Sequence, residues 1–218
     1  MTRRLMIWTL LFAVAVMSCG CGAWRATKGF YKEYVNPSPT VDITQGSDPT
    51  EPETRLAMAM APADQKLDKV MRALYTQDYY PSEEWLQTIL KESPWLSGVM
   101  TVGVDGEILQ KFPEGESLKP LNIKAVLALE STWGNRDLKT LIDQTPLGPE
   151  AYVAMPFFKH SAWQGLIIVH FDPRVLVKLS PHSEELILLT PGQVIWQGAY
   201  GQEVAPLLSD DWVGILRK

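Results

Sequence analysis

The chain has 218 residues, a length that fits one domain with an appendage. Its 25 acidic and 20 basic residues give a net charge of −5, which excludes the basic stripe of a nucleic-acid binder. Two cysteines and three histidines exclude a disulfide scaffold and a cysteine-rich zinc site, while 46% hydrophobic and 21% charged residues describe an ordinary folded domain.

Residues 1–18 are expected to be a targeting segment. Arg3 and Arg4 form a positive start, and Leu5 to Met17 is an apolar run too short for the ~20 residues of a spanning helix. Val16-Met17-Ser18-Cys19 follows, and it resembles a bacterial lipobox: aliphatic, tolerant, small, Cys. The resemblance implies that Cys19 becomes the acylated first residue of the mature protein. Cys21, after Ser18-Cys19-Gly20, is the alternative. One acyl chain anchors only marginally, whereas two or more hold stably, at about 0.8 kcal/mol per buried methylene. Cleavage would remove two basic residues and no acidic one, taking the charge from −5 to −7. An acidic body is repelled by anionic lipid, so the acyl chains would have to do the anchoring. In such lipoproteins an Asp after the lipidated Cys often retains the protein at the inner membrane. Gly20 in that place points to the outer one.

Residues 19–61 read as the lipidated N-terminus and a flexible tether. Asn36-Pro37-Ser38-Pro39 and Gly46-Ser47-Asp48-Pro49-Thr50-Glu51-Pro52-Glu53 are too polar to offset chain ordering by burial. Trp24, Phe30, Tyr31 and Tyr34 are aromatic exceptions, suited to packing, to a membrane interface or to a partner.

The folded body is expected over 62–218. Leu67, Val70, Met71, Leu74 and Tyr75 mark one face of a helix beginning near Pro62. Ser82 is placed to cap a second helix, with Glu83 and Glu84 in its first turn and Pro94 beyond its end. Strands are predicted at 99–104 and 107–112 about Asp105-Gly106, a hairpin turn signal. Asn122 would cap a helix over Ile123–Trp133, closed by Gly134, and Asn135 another with Leu138, Leu141 and Ile142 inward. A hairpin follows, Tyr152–Phe158 and Gln164–Phe171. Pro156 in it demands an edge or a bulge, and Leu166 to Val169 reads as covered on both faces. Asp172-Pro173 opens a short helix over Arg174–Leu179. A last hairpin, Glu185–Leu189 with Val194–Gln197, precedes a tail with a short helix and a terminal strand. The order predicts an α+β fold: a central antiparallel sheet, helices packed on one side, and a long helix in front.

Three of these segments resemble a Cache domain, the extracytoplasmic relative of PAS sensors, over roughly residues 62–200. The opening hairpin is Val99-Met100-Thr101-Val102-Gly103-Val104-Asp105-Gly106-Glu107-Ile108 with Phe112-Pro113. The pocket strand is Tyr152-Val153-Ala154-Met155-Pro156-Phe157, and the strand after it Trp163-Gln164-Gly165-Leu166-Ile167-Ile168-Val169. The resemblance implies a Cache/PAS-like fold and a cavity between the sheet and helices over 121–144. Trp133, Arg136, Tyr152, Met155 and His170 are placed nearest to it, with Arg136 suited to a ligand carboxylate. Set against that, Trp133 and Met155 also fit plain core, Arg136 a solvated helix start, and His170 a satisfied core histidine. Two departures from the family stand out. Cache receptors continue into a membrane span and a signalling module, and their amino-acid-binding members carry a Tyr/Arg/Trp/Asp pattern; neither is matched.

No His-Glu-x-x-His, Gly-x-Ser-x-Gly or phosphate-cradling Gly loop is present, so no catalytic residue, metal or cofactor is assigned and the chain is not read as an enzyme. His160 and His182 read as loop residues and Asp172 as a helix cap. Two functions remain. One is a lipid-anchored, Cache-like module of the cell envelope that binds a small molecule or signals through a partner. The other is a non-catalytic structural lipoprotein that serves as a docking surface in an envelope complex.

Overall fold

The computed structural model describes residues 52–77, 80–115, 119–129, 133, 137–201 and 204–209. The targeting segment, Cys19, Cys21, Arg136 and the expected terminal strand lie outside the described residues.

Helix α1 spans Pro52–Thr76. It starts ten residues before the expected boundary at Pro62, so 52–61 are helix rather than tether. Pro52 occupies the first helical position, where a missing N–H costs nothing, and Glu53 sits in the first turn at the positive dipole end. Pro62 is inside the helix instead of opening it. Ala59, Ala63, Val70 and Leu74 are the buried side. Helix α2, Glu83–Glu92, is capped by Ser82, whose Oγ accepts from the Trp85 N–H at 3.3 Å.

Strands β1 (Gly98–Gly103), β2 (Ile108–Phe112), β3 (Lys139–Thr145), β4 (Gly148–Lys159) and β5 (Ala162–Phe171) form one antiparallel sheet in the order β2-β1-β5-β4-β3. The predicted hairpin about Asp105-Gly106 is β1–β2, and Gly106 takes a φ of 87°. Helix α3 is only Ile123–Leu127, capped by Asn122, shorter than the predicted 123–133. The second helix predicted there is strand β3. Leu138, Leu141 and Ile142 fit a helical face by spacing, but β3 is a half-buried edge strand held by its pairing with β4.

Pairing sorts the residues of β4 and β5 by parity. Odd positions face α1 and α2: Val153, Met155, Phe157, Ile167, Val169 and Phe171 join Val99, Leu74, Leu86 and Ile89. Even positions face the connection from β2 to β3: Tyr152, Ala154, Leu166 and Ile168 join Met100, Val102, Val126 and Trp133. Both long helices thus lie on one face, and the other carries α3 with its flanking irregular chain. Leu166 to Val169 is buried on both faces, as its continuous apolar run predicted. Pro156 pairs with Leu166, but the β3 ladder stops at Ala154, so its missing donor points where β4 has no second neighbour.

Helix α4 (Pro173–Val177) follows Asp172. A single 3-10 turn covers Ser183–Glu185, where a strand start was expected. Strands β6 (Leu188–Thr190) and β7 (Gln193–Trp196) form a separate ribbon, and α5 is Val204–Leu207. No helix among the described residues is long and apolar enough to cross a membrane.

Pro62 should be a measurable liability. An interior proline costs a helix about 3 kcal/mol. Its loss of unfolded-chain entropy returns about 1 kcal/mol. Pro62→Ala should therefore stabilise the chain by about 2 kcal/mol, read as a higher urea midpoint at unchanged slope.

Candidate functional site

The even face of the sheet ends in a row of buried polar side chains. β4 and β5 place Glu150, Tyr152 and His170 side by side on it, with Tyr152 and His170 as direct cross-strand partners. Their rings stack at 6.0 Å between centroids and 28° between planes. Glu150 is 1% exposed. A carboxylate so placed is tolerated only if its lone pairs are filled. Here the His170 Nδ1–H donates to Glu150 Oε1 at 2.7 Å, and Lys119 Nζ donates to Oε2 at 2.8 Å. Burial pushes the Glu150 carboxyl up, but hydrogen bonds from His170, Lys119 and Ser97 outweigh it and hold the group below its ordinary value.

Lys119 reaches in from the connection after β2. Its ammonium also donates to the Pro149 carbonyl at 2.8 Å and to Asp172 Oδ2 at 3.2 Å. All three of its donors are used. Asp172 caps α4, as the sequence predicted, by accepting from the Arg174 N–H at 3.0 Å. It is also gripped by the Arg174 guanidinium at 2.6 Å from Nη2 and 2.9 Å from Nε. Burial raises the Asp172 carboxyl, yet Arg174 and then Lys119 bring it down to about 2.

Two glycines make room for this row. A Cβ on Gly98 would sit 2.5 Å from His170 Nε2. One on Gly148, where φ is 108°, would sit 2.5 Å from an Arg174 nitrogen.

The connection is pinned a second time at Asn122. Its backbone N–H donates to the Tyr152 hydroxyl at 3.3 Å, its Oδ1 accepts from the Ala125 N–H, and its Nδ2 donates to Asp143 on β3 at 3.0 Å. Burial raises the Tyr152 phenol, with the Glu150 and Asp143 carboxylates adding to it, so it stays protonated. Trp133 ties the connection to itself, its Nε1 donating to the Leu127 carbonyl at 3.2 Å, and its ring stacks on Trp163 of β5.

Of the five residues nominated for a pocket, the structure brings Tyr152 and His170 together and puts Trp133 on the same face. Met155 is a correction. It faces α1 and α2 on the opposite side, because residues three apart in a strand cannot share a face. Arg136 is outside the described residues. The helices expected to roof a cavity are α3 and strand β3. His170 carries the core-histidine reading, buried and bonded to a carboxylate. Glu150 and Lys119 were missed. Glu150 had a signal, an acid opening an otherwise apolar strand. Lys119 had none.

One further cluster is exposed. His182, Glu184 and Glu185 converge after α4, but Glu185 is already paired with Arg55 at 2.7 Å. These residues form a solvated surface.

The buried row should show itself twice, first against an exposed ion pair and then in acid. Lys119→Met leaves Glu150 and Asp172 without their shared cation and should cost about 3–5 kcal/mol in urea unfolding. Arg55→Met, at a pair whose arginine side chain is 61% exposed, should cost less than about 1 kcal/mol. The second concerns acid. Glu150 and Asp172 have folded pKa values below their ordinary 4.5 and 3.8, so the unfolded chain binds protons first as pH falls. Their contribution is complete above about pH 5 and declines through pH 4 toward 2. Asp172→Asn should flatten this acid limb in melts recorded from pH 7 to 2.

No family model and no curated protein matches the chain. Among solved structures, it is similar to an extracellular ligand-binding receptor from Desulfohalobium retbaense DSM5692, at 14% identity and a TM-score of 0.45. That match covers 72% of this chain and 32% of the receptor chain, so the chain spans about a third of it. It is also similar to an extracellular domain assigned to a histidine kinase, vpHK1S-Z8, at 12% identity and a TM-score of 0.41, covering 72% of each chain.

Proposed function

We propose that the chain is a lipid-anchored, extracytoplasmic Cache-like domain of the cell envelope, which binds a small molecule on the even face of its sheet or signals through a partner there. The observation that carries the reading is where the three Cache-like segments fall. They are β1 with β2, β4 and β5, and β1, β5 and β4 are contiguous at the centre of the sheet. A long helix, Pro52–Thr76, precedes them. The face that β4 and β5 share with β1 is covered by the pinned connection that carries Lys119, Asn122 and Trp133. Anchoring rests on Val16-Met17-Ser18-Cys19, with Cys21 as the alternative residue and Gly20 favouring the outer membrane.

A second reading, the docking lipoprotein, is favoured by a specific observation. Trp133 is 2% exposed and Tyr152 fully buried, so the two aromatics nominated as pocket lining are packed by their own chain.

A thermal-shift screen with amino acids, carboxylates and purines separates the two. A ligand at 100 times its Kd adds about 2.7 kcal/mol, which raises the melting temperature by several degrees. A shift supports the binding reading. Silence across the screen, together with a stable partner recovered by cross-linking in cells, supports docking. For the anchor, Cys19→Ser should abolish labelling by a fatty-acid analogue and release the protein from membranes. Labelling that survives Cys19→Ser and is lost in Cys21→Ser would move the site by two residues.

A further inference from the structure

On the opposite face of the sheet, toward α1 and α2, two side-chain oxygens have no hydrogen-bond partner among the described residues. Thr101 of β1 and Gln110 of β2 are direct cross-strand partners. Thr101 is fully buried. Its Oγ1 and Gln110 Oε1 are, among the described residues, buried side-chain atoms that no protein group reaches by hydrogen bond. Their surroundings do not relieve this. Thr101 has Ile167 on its other side, and the next β1–β2 pair on this face is Val99 with Phe112.

The chemistry narrows what fits between them. Gln110 Oε1 only accepts, whereas the threonine hydroxyl both donates and accepts. Opposed residues on one face have Cβ atoms about 4.5–5.5 Å apart. The register also breaks here: Thr101 pairs with Gln110 but Val102 with Ile108, which leaves Leu109 as an extra residue in β2. Such a bulge interrupts the ladder and bends the strand.

We infer that one internal water molecule bridges Thr101 Oγ1 and Gln110 Oε1. It donates to the glutamine carbonyl and accepts from the threonine hydroxyl. Two polar partners meet the minimum for a buried water. The bridge ties edge strand β2 to β1 at the point where the backbone ladder is interrupted.

A crystal structure of the full chain at a resolution that shows ordered water tests this directly. The expected result is a peak about 2.7–3.0 Å from both oxygens. A direct Thr101–Gln110 hydrogen bond, or no peak between them, overturns the inference. A double-mutant cycle gives a second reading in solution. Thr101→Val and Gln110→Met should each lower the urea midpoint, and the double variant should recover part of the combined loss, since no polar atom is then left stranded. Strictly additive losses would count against the bridge.

Discussion

The buried carboxylate of Glu150 is the constraint on which most of the even face depends. Removing an ion from water costs several kcal/mol even after relaxation, and the cost returns only through well-made contacts. Each neighbour answers that demand. His170 must stand opposite Tyr152 on β5 to reach Oε1, and Gly98 must lack a side chain for the ring to fit. Lys119 must cross from the β2–β3 connection to reach Oε2. Asp172 then shares the lysine, and Arg174 balances Asp172. A single acid therefore fixes one glycine, two cations and the path of a loop.

The two faces of the sheet are held by different physics. The odd face meets α1 and α2 through aliphatic and aromatic packing, which is strong but non-directional. Trp95 on Phe171 and Tyr80 on Phe157, both edge-to-face, add some direction to it. Among the described residues, the even face is covered by the five-residue helix α3 and non-helical chain beside it. Directional contacts at Lys119, Asn122 and Trp133 supply what regular structure would otherwise give.

The sequence was most legible where local chemistry decides. Asp105-Gly106, the Ser82, Asn122 and Asp172 caps and the Leu166–Val169 run all fell where they were expected. It was least legible where distant partners decide. Strand β3 has apolar residues that suit either a helix or a strand, and only its ladder with β4 settles the matter. Helix α1 begins in a Pro- and Glu-rich stretch that reads as linker, although the same residues favour a helical first turn. Met155 is separated from Tyr152 by strand parity alone, three residues on in the same strand. Glu150 was half legible, two residues before Tyr152 and so on its face. Its lysine lies 31 residues away with no periodic link.

Charge balance limits which ligand the proposed binding reading allows on the even face. The cluster holds two carboxylates, Glu150 and Asp172, and two cations, Lys119 and Arg174, with His170 bonded to the first acid. It is balanced, and the lysine has no donor to spare. An anionic ligand arriving there would have to take Lys119 from Glu150 and leave a buried carboxylate short of a partner. A neutral ligand faces no such exchange: among the described residues it would compete with an apolar cover that includes Val126, Leu127 and Trp133. On the proposed binding reading, access to this face therefore depends on displacing the connection, which the charged row helps to hold in place.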